Sequence, residues 1–311
     1  MTQTDHDVII IGAGSAGLSA GLVLARAQAK VLLIDSGAPR NAPAEAMHGF
    51  VSRDGIAPAE FLAAGRQEVS RYGGSILRGA VDSVATRDDG SFAVTVAGGR
   101  VEIARALLVA TGLTDELPHI PGLDDWWGTR VHHCPYCHGY EVLNQTIVVI
   151  GGSQKDMSLK QAALLRRYSE HVSLVTNGME ITTTERSRLA AFGIHVIDGS
   201  VSRIVGPTGS LDAVVLTDGT SISCDAVFIA PRQHPNDGVL RSLGCEVDPA
   251  TGFVAANGFG QTSVAGVWAA GNVVTPTAQV ITAAGAASAS AIAINGWLLN
   301  KDLDAASAAR S

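Results

Sequence analysis

Two cysteines separated by two residues, Cys134 and Cys137, lie in the run His132-His133-Cys134-Pro135-Tyr136-Cys137-His138-Gly139-Tyr140-Glu141. Such a pair can close into a small disulfide ring. In a chain read as carrying no secretion signal, it points to redox chemistry rather than to a structural staple. A thiol attacks as its thiolate, and free cysteine ionises above neutrality, so a neighbouring imidazole that takes or stabilises the proton matters. His132, His133 and His138 all crowd the pair, and His133 and His138 are the candidate bases; the three cannot all face the sulfurs. A zinc site would require a second Cys/His pair at similar spacing. The other cysteines, Cys224 and Cys245, stand alone far downstream, so no metal is expected, and both are read as inert buried thiols.

The elements that must position this run need a chain of some size. At 311 residues the sequence is long enough for two domains, each with its own core. Its 35 glycines and few aromatics favour tight turns and close backbone packing around something flat or phosphorylated. The net charge is −7 with no basic run, which argues against nucleic acid or an anionic membrane as partner. Two uncharged stretches, residues 8–25 and 249–300, resemble membrane spans. The first holds four glycines in a phosphate-loop pattern, and the second is interrupted by Gly, Pro and Asn. Neither shows the flanks of a spanning helix. A soluble, cytoplasmic protein is therefore expected.

The first forty residues read as a nucleotide site. Asp7 to Ile11 is a β-branched run of the kind that forms a buried parallel strand. Gly12-Ala13-Gly14-Ser15-Ala16-Gly17 follows at once, then an Ala/Leu-rich helix over residues 18–29, then a second strand ending on Asp35. Gly12 turns the chain, Gly14 lets backbone approach a diphosphate, and Gly17 lets helix and strand pack closely. The diphosphate then lies on the helix N-terminus, with Ser15 and Ala16 in its first turn. Asp35, 23 residues after Gly12, can accept hydrogen bonds from an adenosine ribose. The loop after it carries Arg40 and Asn41, with His48 further on. Residues 75–96 read as a strand meander turning at Asp88-Asp89-Gly90.

Two later pieces name the dinucleotide. A strand ends on Ala110-Thr111-Gly112, and near the C-terminus another strand runs into Ala270-Gly271-Asn272. With the N-terminal glycine loop, this arrangement resembles the FAD domain of the two-dinucleotide-binding flavoproteins. The resemblance implies FAD with adenosine near Asp35, the backbone of Val81 against adenine, His48 near the flavin edge, and flavin and ribitol near Gly271 and Asn272. The family usually has Asp where Asn272 stands. The resemblance also lays the start of a small-residue helix, expected over residues 283–293, against the flavin ring, with Gln279 and Val280 at that contact.

Residues 117–123, rich in proline and glycine, read as a hinge into a second domain. There a strand at 146–150 enters Gly151-Gly152-Ser153-Gln154-Lys155-Asp156, followed by a helix over about 157–168 and a strand at 172–175. The expected class is α/β, with two dinucleotide-binding, Rossmann-like domains, the second inserted into the first. Residues 1–117 and 244–311 form the FAD-binding domain, and 118–243 the inserted NAD(P)-binding-like domain that carries the CxxC motif. The whole chain resembles the low-molecular-weight thioredoxin reductases. That likeness implies a homodimer, with Cys137 facing the flavin and Cys134 exchanging with substrate.

Two departures from that pattern shape the expected function. Thioredoxin reductases follow the second cysteine with an acid/base Asp, where this chain has His138. The run Cys-Pro-Tyr-Cys-His-Gly-Tyr-Glu is more similar to the thioredoxin-reductase-like dithiol oxidases of gliotoxin- and holomycin-type natural products. The second glycine loop also has Ser153 where its second glycine should be, and Asp156 in place of its last small residue. A carboxylate there would occupy the field that should receive phosphate. No arginine cluster follows the second strand for a 2′-phosphate, although Arg186 or Arg188 could fold back. That domain is expected to be a scaffold rather than a working NAD(P)H site. The expected reaction is oxidation of a small-molecule dithiol by FAD and oxygen. The alternatives are reduction of a thioredoxin-like protein by NAD(P)H or another donor, and a flavin-bearing sensor whose thiols only report redox state.

Overall fold

The computed structural model describes residues 4–207 and 209–310, and the chain divides into two compact units. The first comprises the chain through Ala42, Pro58–Thr114 and the chain from Pro235 onward. The second comprises Pro43–Ala57 and Asp115–His234.

In the first unit His6–Ile11 is the middle strand of a mostly parallel core. It pairs in parallel with Val31–Asp35 on one side and Arg100–Val109 on the other. Its Val8, Ile9 and Ile10 are fully buried, as strands covered on both faces require. Arg100–Val109 is longer than its neighbours and changes partner along its length. Its first half pairs antiparallel with Phe92–Val96, and its last residues pair in parallel with Val267–Ala269. The strand ends that carry Gly12, Ala110 and Ala270 therefore lie side by side at one edge of the sheet.

Against this sheet pack the helix Ser15–Arg26 and the C-terminal helix Val280–Ala308. The latter is far longer than the expected 283–293. Asn295 and Gly296 do not stop it, because Ala283, Ala287, Ala291, Ile294 and Leu298 form one buried face; burial of that face outweighs the roughly 1 kcal/mol that an interior glycine costs. By length and composition this helix could also span a membrane, but its apolar face is used for packing in the core of the first unit.

The second unit is built on a five-stranded parallel sheet in the order His195–Ile197, Val172–Val175, Ile147–Ile150, Ala226–Ile229, Val131–His132. An antiparallel three-stranded sheet accompanies it, Val201–Val205, Ala213–Leu216 and Ser221–Ser223. The helix after the second glycine loop runs over Lys155–Leu165, two residues earlier than expected at its start.

The boundaries differ from those read off the sequence. Residues 117–123 lie within the second unit: Ile120 and Leu123 are buried in its core, and Gly122 (φ +83°) packs its Cα side on the Ile204 carbonyl. The return to the first unit comes at Pro235 rather than at 244, because Leu240 is fully buried with Ile9, Leu107 and Cys245 in the first core. The segment Pro43–Ala57, expected in the first domain, groups with the second. The ends of the expected first domain, residues 1–3 and 311, lie outside the described residues.

The three glycines of the first loop do different work. A Cβ on Gly12 (φ +102°) would run into the Ala110 carbonyl, and one on Gly17 into the Gly12 carbonyl. A Cβ on Gly14 would meet no protein atom within 4 Å. Gly17→Ala is accordingly expected to destabilise the first unit by about 1–3 kcal/mol, in the usual range for overpacking, with a clear fall in Tm. Gly14→Ala should melt as the parent does yet retain less flavin, as measured by the absorbance of the purified protein.

Candidate active site

The CxxC run begins where the edge strand Val131–His132 ends, and it folds at once into the single-turn helix Pro135–His138. Proline at the first helical position suits this, since its fixed φ favours the turn and no N–H is lost that the helix would use. Cys134 and Cys137 are joined by a disulfide across a Cα–Cα distance of 5.2 Å, inside the usual range for such bridges. Both cysteines are half-buried.

Gly139 follows because Tyr168 packs there. A Cβ at 139 would come within 2.7 Å of the Tyr168 ring and 2.5 Å of the Pro135 carbonyl. From beneath, Gln161 of the helix Lys155–Leu165 donates to the carbonyls of His133, at 2.6 Å, and Ile229, at 2.8 Å. Gln161 thereby ties the backbone just before Cys134 to the neighbouring strand end. It is a supporting residue that sequence reasoning missed, because nothing in its spacing marks it.

The three histidines separate by environment. His132 is 5% exposed and stacks on His138 with ring centroids 4.2 Å apart and planes 16° from parallel. Burial, with a smaller contribution from the charges of His138 and His133, pushes His132 down to about 3, so it stays neutral. Burial likewise holds His138 below the ordinary histidine range, opposed in part by the negative charge of Glu141. Nδ1 of His132 and Nδ1 of His138 are buried and have no hydrogen-bond partner among the described residues. A neutral imidazole with an unengaged nitrogen can take a proton at neutral pH. His133 instead lies against Trp127, with centroids 5.9 Å apart. Cys224 and Cys245 are buried, and burial raises both thiols, Cys224 to about 12, which keeps them protonated and unreactive.

The first unit collects the residues expected to hold a dinucleotide. Gly14 precedes the helix Ser15–Arg26, whose start has no side-chain cap and no acidic residue in its first turn. Its N–H groups are thus available to an anion, beside the space that Gly14 leaves open. Ser15 and Ala16 begin the helix, and a Cβ on Gly271 (φ +79°) would come within 3.1 Å of the Ala16 Cβ. The N-terminal and C-terminal glycine loops therefore meet. Asp35 ends its strand nearly buried, accepting from Gly37 N at 3.1 Å and from Arg66 at 3.1 Å. Arg66 was not singled out from the sequence.

Ala110, Thr111 and Gly112 are braced by Asn236. The Thr111 hydroxyl donates to the Asn236 carbonyl at 2.7 Å, and the Asn236 amide donates to the Thr111 carbonyl at 3.1 Å. Arg40 and Asn41 lie in the loop after the second strand, Val81 begins the strand Val81–Thr86, and Gln279 and Val280 start the C-terminal helix. His48, expected near the flavin edge, lies in the second unit, where it pairs with Glu141.

Asn272 explains its own departure from the family's Asp. Its Nδ2 donates to the carbonyls of Thr275, Pro276 and Ala278 at 3.1, 3.1 and 2.9 Å. Three carbonyl oxygens demand a donor, so the amide oxygen is the atom turned away from them and left to accept from a ribitol hydroxyl. These features fit FAD: an open, uncapped anion cradle, a nearly buried acid at the second strand end, and an oriented acceptor beside Gly271.

The second glycine loop is different. Asp156 lies in the first turn of the helix Lys155–Leu165. Lys155, the cation that could offset it, is bound to Glu185 at 2.8 Å. Glu185 also closes a capping box with Thr182, and these contacts hold its carboxyl down at about 2. Arg186 pairs with Asp198 at 2.6 Å rather than folding back toward the loop. A cleft of about 280 Å³ remains at these strand ends, lined by Gly151, Gly152, Ser153, Asn177, Ile229 and Arg232 among others.

Two Rossmann-like units, one with a dinucleotide cradle and one with a closed CxxC beside neutral imidazoles, define a flavin-dependent disulfide oxidoreductase. The chain belongs to the pyridine nucleotide-disulphide oxidoreductase family, whose model matches residues 6–291. It is similar to the crystal structure of HlmI, at 47% identity over 98% of this chain and 96% of that chain, with a TM-score of 0.94. It is also similar to thioredoxin reductase tcpT of Claviceps purpurea (strain 20.1), at 33% identity over 87% of each chain. A thioredoxin reductase of Mycolicibacterium smegmatis is 32% identical over 97% of this chain and 99% of its own length.

Asn272→Asp places a carboxylate among three carbonyl oxygens. It is expected to destabilise the first unit by about 1 kcal/mol, the loss of hydrogen bonds at a partly buried site. A lower Tm of the flavin-free protein and weaker FAD retention would check this; an unchanged Tm would refute the account.

Proposed function

We propose that the protein oxidises a small-molecule dithiol to its disulfide, with oxygen as the terminal electron acceptor. The observation that carries this reading is the contrast between the two units. The first offers an unobstructed cradle for FAD, whereas the second presents an acid in the first turn of its nucleotide helix and has its nearest cation tied to Glu185. Such a loop disfavours diphosphate, so electrons are better drawn from a dithiol than from NAD(P)H.

The chain's own residues carry out the exchange. One substrate thiolate attacks Sγ of Cys134; the new S–S bond forms as the Cys134–Cys137 bond breaks, and Cys137 leaves as a thiolate. The second substrate thiol, losing its proton to His138, attacks the substrate sulfur of this mixed disulfide. It closes the product ring and releases Cys134. The substrate has lost two electrons and two protons, and the cysteine pair has gained two electrons. FAD, when bound, supplies the two-electron acceptor that restores the cysteine disulfide, and oxygen in turn is reduced to hydrogen peroxide. His132, buried and neutral, supports the His138 ring by stacking, and Gln161 holds the backbone ahead of Cys134.

A second reading, reduction of a thioredoxin-like protein by NAD(P)H, draws on the cleft that persists at Gly151 and Gly152 and on the relatives named thioredoxin reductase. One experiment separates the two. Purified holoenzyme should consume oxygen when given a small dithiol, and its flavin absorbance should persist on anaerobic mixing with NADPH or NADH. Fast anaerobic bleaching by either nicotinamide, with no oxygen uptake on dithiol, would establish the reductase instead. Within the oxidase reading, His138→Ala should slow turnover about a hundredfold, in the range usual for loss of a general base. Unchanged turnover would remove His138 from that role.

A further inference from the structure

The segment Pro43–Ala57 lies far in sequence from the CxxC run, yet it is part of the same compact unit. It is firmly held there. Met47 is 5% exposed and bridges to Ile56, and a Cβ on Gly128 would come within 2.6 Å of Pro43. His48 projects between two carboxylates. Its Nε2 is 3.3 Å from Glu141 Oε1, and its Nδ1 is 3.4 Å from Asp54 Oδ2. Asp54 is itself fixed, because its other oxygen accepts from the Gly49 N–H at 2.8 Å. Glu141 comes three residues after His138, in the turn that continues the CxxC helix. The sequence Asp54, His48, Glu141 thus runs from an exposed carboxylate at the surface to the residue whose negative charge acts on His138.

We propose that His48 and Glu141 are positioning residues for the thiol–disulfide exchange, His48 governing how much of the Glu141 charge reaches the His138 ring. This rests on His138 serving as the base, as in the function proposed above, but not on oxygen being the acceptor. The groups facing His138 are Glu141, His48 and the stacked ring of His132. His132 is held neutral by burial. The Glu141 carboxylate favours the protonated His138 ring, and His48, with Nε2 3.3 Å from Glu141 Oε1, opposes it by drawing on that charge. The two residues therefore act on His138 with opposite signs, which a merely structural pair would not do.

The test uses holoenzyme with dithiothreitol, anaerobically, following flavin bleaching against pH in single turnover. His138 must be neutral to accept a proton, so its ionisation adds an acid limb to the rise set by the dithiothreitol thiol itself, which parent and variants share. Glu141→Gln is expected to move that limb to lower pH, and His48→Gln to higher pH. Each shift should be about half a unit, the size expected for partly exposed charge pairs. His48→Asn serves as a second variant if His48→Gln melts early, and Glu141→Asp should restore the parent profile in part. Opposite shifts in variants with parental Tm support the proposal. Shifts in the same direction, equal slowing with an unmoved limb, or parental profiles in both would overturn it. Because dithiothreitol stands in for the natural substrate and a single anaerobic turnover ends on the flavin without oxygen, failure of the oxidase reading would leave this result intact.

Discussion

Parallel strands buried on both faces must end in loops at a common edge, and this constraint gathers the chemistry of the chain. In the first unit the strands ending at Ile11, Asp35, Val109 and Ala269 deliver Gly12, Asp35, Ala110 and the Ala270-Gly271-Asn272 corner to one edge of a sheet. In the second unit the strands ending at Ile150, Ile229 and His132 deliver the second glycine loop and the CxxC run to theirs. Helix N-termini follow the strands there, so such edges suit anions and flat ligands. Loop residues then decide what each edge does.

The two glycine loops show how little separates a site from a scaffold. Both follow a buried β-branched strand, and both start a helix without a side-chain cap. In the first, glycine stands wherever a side chain would strike backbone or fill the anion's space. In the second, Ser153 carries a side chain, an acid stands in the opening turn of the helix, and Lys155 is engaged elsewhere. The fold of the second unit does not need an anion to be stable, because strands 147–150, 172–175 and 226–229 bury Val148, Val149, Leu174 and Phe228 completely. The domain also serves as the frame on which the redox pair is mounted, and Gln161 is the clearest instance. It stands on the helix that would face a nucleotide, and it spends its amide on the backbone beside Cys134.

Burial is what differentiates the histidines. An imidazole moved out of water loses more as a cation than as a neutral ring, so the stacked pair His132 and His138 is kept in the base-competent form. The unpartnered Nδ1 atoms of the two rings are a local cost of that burial. A partly exposed carboxylate, Glu141, opposes the effect of burial on His138. The chemistry thus needs no unusual residue type, only unequal solvation of the same one.

The amino-acid sequence by itself determined the α/β class, the insertion of one nucleotide-binding fold in another, the redox pair and the glycine loops. These are legible because they depend on local rules: periodicity over a few residues, turns that only glycine makes, and a cysteine spacing that, with no second Cys/His pair, points to redox chemistry. It could not show that His48 belongs with the CxxC run, that Arg66 and Gln161 support the two sites, or that Lys155 is spent on Glu185. Nor could it place the return to the first domain at Pro235, or extend the last helix through Gly296. Each of those outcomes was decided by tertiary packing and by which charged or polar group found a partner distant in sequence. Asn272 joins both kinds: its type departs visibly from the family pattern, yet only the three carbonyls folded around its amide show why asparagine suits the position.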